Sequence, residues 1–377
     1  MKALRNIVDK LKPTFSEGGK LSFLHSTFDG FETFLFVPDT TTTKGAHIRD
    51  CNDMKRTMIM VIVALIPAFL FGCYWTGAQV GLEGLTAFFY GLVRILPMVC
   101  VSYIVGLAIE FYFAQIRGHE INEGFLVSGL LIPMIMPVST PLWMVGLATA
   151  FAVVFGKEVF GGTGMNVFNP ALLARAFVFF AYTPQISGEQ VWYSNWTMMG
   201  AQVDGVTGAT ALEKLATTGT MGDWSAMDAF LGFIPGSFGE TSTLAILLGA
   251  VILLGAGIAS WRTMVSVFVG GLAMGYLFQA LGVTTYPAWW HLIVGGCAFG
   301  AVFMATDPVT SSQTNTGKYI VGFMTGAIAV LIRVVNPAYP EGMMLSILFM
   351  NALAPLVDYF VVEANINRRK NRVKTVK

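Results

Sequence analysis

Apolar residues along this chain come in blocks, not in the alternation of a strand or the stripe of a soluble helix. Past residue 56 they form ten mostly apolar runs: 57–76, 94–115, 123–137, 141–160, 168–183, 243–260, 263–281, 291–305, 318–335 and 341–361. A helix needs about 20 apolar residues to cross the hydrocarbon of a bilayer, so each run is read as a membrane helix. Two of them, 123–137 and 291–305, are too short to cross comfortably. Both end near a proline, at Met136-Pro137 and Asp307-Pro308, and each is third in its set of five. Short, interrupted segments at matching positions of two halves point to discontinuous helices around a site between repeats.

A second echo joins the halves. The fifth run opens near Asn169-Pro170-Ala171 and the tenth near Asn336-Pro337-Ala338. Proline suits the first turn of a helix, where its missing N–H would have no intrahelical partner. Five crossings is an odd number, so the second half must enter from the opposite side, which makes the repeat an inverted one. The fold class expected is an all-α polytopic membrane protein, with about ten transmembrane helices in two inverted five-helix repeats with short broken third helices. Its layout is like that of urea and ammonium channels. The expected parts are an arm over 1–56, a first repeat over 57–183, a large loop over 184–242, a second repeat over 243–361 and a basic tail over 362–377.

Composition agrees with the membrane class: 55% of residues are hydrophobic, 12% are charged, and mean hydropathy is +0.65. Soluble domains carry about 25% charged residues. The net charge of +1 leaves no nucleic-acid footprint. Cys51, Cys73, Cys100 and Cys297 are far apart and fit no zinc or disulfide spacing. Direction follows from basic residues. The arm carries Lys2, Arg5, Lys10, Lys12, Lys20, Lys44, Arg49, Lys55 and Arg56, and the tail carries Arg368, Arg369, Lys370, Arg372, Lys374 and Lys377. An even number of crossings puts both ends on one side, and the positive-inside rule makes that side cytoplasmic. The loop 184–242 has one basic residue, Lys214, and falls outside. The tryptophans sit at run ends and in connections, where the membrane interface lies.

Three carboxylates fall inside or at the edge of apolar runs: Glu110, Asp307 and Asp358. A charge at the bilayer centre costs roughly 2.5–3.5 kcal/mol on insertion scales, so such residues are functional candidates by default. Carboxylates and the free carbonyls of a broken helix are hard oxygen donors of the kind a sodium ion takes. Helix termination at Asp307-Pro308, and acids reaching the interface at Glu110 and Asp358, are the plainer alternatives. The outer loop holds one more unusual element, Val203-Asp204-Gly205-Val206-Thr207-Gly208-Ala209-Thr210. Asp204-Gly205 signals a turn, Gly208 and Ala209 leave room for close approach, and Thr207 and Thr210 offer hydroxyls. On residue types alone it is either a surface turn or an attachment site.

Longer stretches carry a family resemblance. They are Arg49-Asp50 with Lys55-Arg56, His119-Glu120-Ile121-Asn122-Glu123-Gly124-Phe125, Lys157-Glu158-Val159-Phe160-Gly161-Gly162-Thr163-Gly164 and Asn169-Pro170-Ala171. Met304-Ala305-Thr306-Asp307-Pro308-Val309 and the run from Arg333 to Met344 continue them. With these the chain resembles the B-subunit family of sodium-translocating NADH:quinone reductases and, more distantly, the D subunits of Rnf electron-transfer complexes. The resemblance implies FMN joined by a phosphoester to Thr210, with Asp204, Thr207, Gly208 and Ala209 around it. Thr207 stands where the family commonly has Ser. It implies a non-covalent riboflavin, quinone as acceptor, and sodium carried outward with Asp307, Glu110 and Asp358 as its candidate acids. Gly106 lies where the family often has a Gly-Gly pair tied to quinone binding, but here Leu107 follows it. The implied setting is a bacterial inner membrane, multi-pass in lipid, with both termini cytoplasmic. The implied partners are the other members of a six-subunit complex, including a second FMN-bearing subunit and an NADH-oxidising FAD/iron–sulfur subunit. Two other readings stay open: a passive channel of the urea or ammonium type, and a structural anchor for redox subunits.

Overall fold

The structure, a computed structural model, describes residues 2–15, scattered positions between 25 and 46, and residues 54–117, 124–186, 210–336 and 341–375. No strand occurs among the described residues. The arm begins with an amphipathic helix, α1 (Lys2–Phe15), whose Arg5 and Lys12 both pair with Glu32.

The membrane part begins with α2 (Met54–Ala78) and α3 (Gly84–Arg117). Next come a short helix, α4 (Phe125–Met134), then α5 (Leu142–Gly156) and α6 (Pro170–Ala181). Two small helices of the loop between the halves follow, α7 (Ala211–Thr218) and α8 (Ala226–Leu231). The rest is α9 (Thr243–Gly255), α10 (Trp261–Ala280), a broken stretch over 290–304, α11 (Asn315–Val335) and α12 (Met343–Thr375).

Among the described residues six helical segments are long and apolar enough to span: Arg56–Ala78, Gly84–Arg117, Leu142–Phe160, Trp261–Ala280, Asn315–Val335 and Met343–Arg372. Three apolar helices are shorter, namely α4, α6 and α9. The eighth run is broken, as its length suggested: two short helical pieces lead into a π-helical turn over Gly300–Met304. The fifth and sixth runs also yield helices too short to cross by themselves, which their hydropathy did not reveal. The helices start within two residues of their runs, at the N-caps Asn169 and Ser242, but end early: α6 stops at Ala181, and α9 stops at Gly255, just before the left-handed Gly257. The two Asn-Pro-Ala triplets differ in the structure. Asn169 opens α6 with Pro170 at its first turn, whereas Asn336 is the C-cap of α11, and the next helix among the described residues begins at Met343.

Packing between helices repeats. In the first half α3 packs on α4 and α5, α5 on α6, and α4 on α2 and α6. In the second, α10 packs on the broken stretch and on α11, α11 on α12, and the broken stretch on α9 and α12. The halves meet where α2 touches α9 and α6 touches α12. Close approach is made by glycines. A Cβ on Gly91 would lie 1.9 Å from the Cys73 carbonyl oxygen, and one on Gly326 would lie 1.9 Å from that of Val267.

Candidate functional site

Two cavities lie toward opposite ends of α2. Thr57, near its start, lines the first; Trp75, near its end, donates its indole N–H to the Ile234 carbonyl (2.9 Å), and Ile234 lines the second. Eighteen residues of one helix separate Thr57 from Trp75, about 27 Å at 1.5 Å per residue. That is close to the hydrocarbon thickness of a bilayer.

The first cavity, of about 100 Å³, sits where the two halves meet. Its polar lining includes Thr57, Ser128, Lys157, Thr163, Asn166, Asn169, Thr306 and Asp307, and its apolar lining includes Val61, Leu131, Leu253 and Phe303. Asp307 follows the π-turn, and its carboxylate is fixed by three donors. Val309 N donates to Oδ1 (3.0 Å), Thr310 Oγ1 to Oδ2 (3.2 Å) and Asn169 Nδ2 to Oδ2 (3.2 Å). Asn169 divides its amide between two tasks, since its Oδ1 caps α6 by accepting from Ala171 N and Leu172 N. A water needs roughly 10–15 Å³ of such volume, so the cavity has room for several waters or a partly hydrated small cation beside one carboxylate.

Lys157 places a positive charge on the same wall. Its ammonium pairs with Glu110 of α3, both side chains being buried, and lies over the Phe125 ring at 6.0 Å. Arg117 reaches Glu158 Oε2 (2.9 Å) one residue on. The end of α3, the start of α4 and the end of α5 are thereby tied together at one face.

The other sequence candidates are spread out. Asp358 of α12 accepts from Ser312 Oγ (2.6 Å), Gln313 N (2.7 Å), Thr314 N (3.1 Å) and Thr314 Oγ1 (2.5 Å), and so stands at the N-terminus of α11, away from the residues lining the Asp307 cavity. Gly106 is buried on α3, where a Cβ would lie 1.9 Å from Phe125 Cζ. Its lack of a side chain admits that ring. Asp204, Thr207, Gly208 and Ala209 lie outside the described residues. Cys73, Cys100 and Cys297 are free thiols, and no group of three or more His, Cys, Asp or Glu among the described residues is arranged to hold a metal.

Thr210 is the N-cap of α7, its Oγ1 accepting from Glu213 N (3.3 Å). The helix gives way to the left-handed Gly219. Leu212, Leu215, Met221, Ile234, Tyr286 and Val294 form a small apolar core beneath it, separate from that of the membrane part. Thr210 lines the second cavity, of about 30 Å³, with Glu240, Thr241, Gly295, Gly296 and Glu341.

On the wall of the second cavity lies an ion-pair network that the apolar pattern does not announce. Arg175 of α6 is 3% exposed; it pairs with Glu240 (2.8 Å) and with Glu341, and Ser237 Oγ donates to Glu240 (2.7 Å). Arg175, Glu240 and Glu341 also line a smaller void, about 20 Å³, together with Gly300 and Met304. The one signal for it in the sequence is the lone Arg within Pro170-Ala171-Leu172-Leu173-Ala174-Arg175-Ala176-Phe177-Val178, because a cation there is as costly as an acid.

Helical packing and membrane-length apolar helices define a polytopic membrane protein. The chain belongs to the NQR2, RnfD, RnfE family, whose model matches residues 41–367. It is 46% identical to the B subunit of the Na(+)-translocating NADH-quinone reductase of Chromohalobacter salexigens, over 98% of this chain and 96% of that protein. It is also 46% identical to the proteins of the same name from Pseudomonas paraeruginosa and Azotobacter vinelandii, each over 98% of this chain and 99% of theirs.

Proposed function

We propose that this chain is the membrane flavoprotein subunit of a sodium-translocating NADH:quinone reductase, seated in a bacterial inner membrane with both termini cytoplasmic. The observation that carries this reading is the position of Thr210. It caps a helix in a cavity at the end of α2 remote from the Asp307 cavity, in a chain whose relatives carry that enzyme's name. FMN esterified to Thr210 and a non-covalent riboflavin supply the electron transfer from a partner flavin to quinone.

Two features of the cavity at Thr210 suit a phosphoryl group, and the carboxylates that also line it, Glu240 and Glu341, are both paired with Arg175. The N-terminus of α7 points there, and helix N-termini favour anions. Gly295 and Gly296 leave the wall without side chains. The Oγ1 of Thr210 is an oxygen that a phosphoester can use, and the neighbouring amides of α7 then face phosphoryl oxygens. A tether also suits an outer face, where no binding equilibrium with free FMN has to hold the cofactor.

Sodium is the cargo. Asp307 binds it in the inner cavity, with Asn169 and Thr310 orienting the carboxylate. Glu110 acts beside it through Lys157, and Asp358 by holding the entry to α11. Gly106, the quinone candidate, acts through the Phe125 ring that it admits. Ten crossings in two inverted repeats are supported by the matching helix neighbours of the two halves. The complex contains a second FMN-bearing subunit and an NADH-oxidising FAD/iron–sulfur subunit.

The deciding experiment is in-gel flavin fluorescence of the denatured, purified chain. A fluorescent band at its mass is expected. A dark band from protein matured in its native host overturns the flavoprotein reading and favours a channel or an anchor.

A further inference from the structure

Helices α10 and α11 run side by side in the same direction. A Cβ on Gly322 would lie 2.8 Å from the Thr263 carbonyl oxygen, and one on Gly326 would lie 1.9 Å from that of Val267. Both helices are long and apolar enough to span. An open groove of about 480 Å³ runs between Val265 and Val269 of α10 and Tyr319, Ile320, Phe323 and Met324 of α11. Each of these six side chains is between 40% and 49% exposed. One turn nearer the start of each helix the same stripe becomes polar. Arg262 stands three and seven residues before Val265 and Val269, and Thr316 three, four and seven before Tyr319, Ile320 and Phe323. Those spacings share one helix face. The guanidinium of Arg262 lies 5.1 Å from the centroid of the Trp261 ring, and Trp261 meets Tyr319 edge-on at 6.2 Å. Aromatic residues at helix ends mark the level where hydrocarbon gives way to headgroups. Lys318 belongs to the same first turn of α11. Neither Arg262 nor Lys318 forms an ion pair among the described residues. Asp358, the carboxylate that meets the start of α11, is taken up by Ser312, Gln313 and Thr314.

We propose that this groove seats an anionic phospholipid. One acyl chain lies along Val265, Val269, Ile320 and Phe323, and the phosphate meets Arg262, with the Thr316 hydroxyl as a donor and Lys318 adding positive charge. The order of groups along the groove is that of the lipid: hydrocarbon first, then an interfacial layer, then a charge. Basic residues between membrane helices are a recurring seat for anionic headgroups. A membrane helix of a partner subunit would need an acidic residue at that one level to match Arg262, whereas every anionic phospholipid carries its charge there. The site is independent of the flavin and sodium readings and uses none of their residues.

The test is photolabelling of the whole purified complex in detergent, with a phosphatidylglycerol that carries a diazirine in one acyl chain. Labelled peptides are mapped by mass. Label is expected on the stripes 265–269 and 319–324. Unlabelled phosphatidylglycerol should displace it at about one-fifth of the concentration that phosphatidylcholine of the same chains requires, the preference that one surface cation supplies. Arg262→Gln should remove that preference and leave displacement by phosphatidylcholine unchanged. Equal displacement by the two lipids in the unaltered protein, or a preference that survives Arg262→Gln, would overturn the proposal. Val269→Trp fills the groove and should remove the label from both stripes, which decides the matter if Arg262→Gln does not assemble; label retained there overturns the site. Absence of label from both stripes, with a photoreactive residue at position 323 crosslinking to a partner subunit instead, would also overturn it and give the groove to a protein helix.

Discussion

Asn169 Nδ2 donates to Asp307 Oδ2 at 3.2 Å, joining residues 138 positions apart. One side is the cap of α6 in the first half; the other closes the broken stretch of the second. The junction of the halves and the proposed ion site are therefore the same place. Removing the carboxylate should weaken the ion without disturbing electron entry at the far end of the protein. Asp307→Asn is expected to raise the sodium concentration for half-maximal turnover about tenfold, the equivalent of 1.4 kcal/mol, with flavin content unchanged. Sodium titration of quinone reduction checks this, and an unmoved half-saturation point would reduce Asp307 to a helix-ending residue.

Thr210→Val should abolish covalent flavin and quinone reduction while the subunit still folds. Losing the cap of α7 costs about 1 kcal/mol, too little to dismantle the apolar core beneath that helix. Intact-mass measurement of the purified subunit is the check.

Lys157, on the wall of the Asp307 cavity, forms a buried pair with Glu110. Lys157→Met leaves a buried carboxylate without its partner, which should cost about 3–5 kcal/mol. The double variant Lys157→Met/Glu110→Leu should regain most of that loss. Thermal unfolding of the three proteins in detergent measures the difference, and equal instability of single and double variants would mean that the pair is not what Lys157 supports.

Gly106→Ala would drive a methyl group into the Phe125 ring. Overpacking of this kind costs roughly 1–3 kcal/mol, so lower assembled yield is expected, with partial rescue by Phe125→Leu. Quinone affinity measured on the assembled fraction separates a role in binding from one in packing; a changed affinity that Phe125→Leu does not restore would place quinone at Gly106 itself.

In a cysteine-free background, a single cysteine at Gly219 should react with an impermeant reagent from outside, and one near Lys374 only from inside. Labelling of both from one side would mean an even number of crossings in the second half and would break the inverted repeat.

Much of this protein was legible in one dimension. Apolar runs located the long membrane helices, because burial in lipid demands length and hydrophobicity that a sequence displays directly. The break before Asp307-Pro308 was visible for the same reason, as a run too short to cross. The family resemblance singled out Thr210, and charge within apolar runs singled out Asp307, Glu110 and Asp358. What the run pattern lacked was the early end of α9, since Ala256-Gly257-Ile258-Ala259 continues the apolar run while the left-handed Gly257 turns the chain out of the helix. The tertiary structure alone decided which charges meet. Arg175 finds Glu240 and Glu341 at separations of 65 and 166 residues, and Glu110 finds Lys157 at 47. A buried charge must be matched in space, and the partner that matches it is chosen by how helices cross, which no local pattern records. For that reason the sequence named acids one at a time, and only the fold set Asp307 in one cavity and Glu240 with Glu341 in another, toward the two ends of one membrane-length helix.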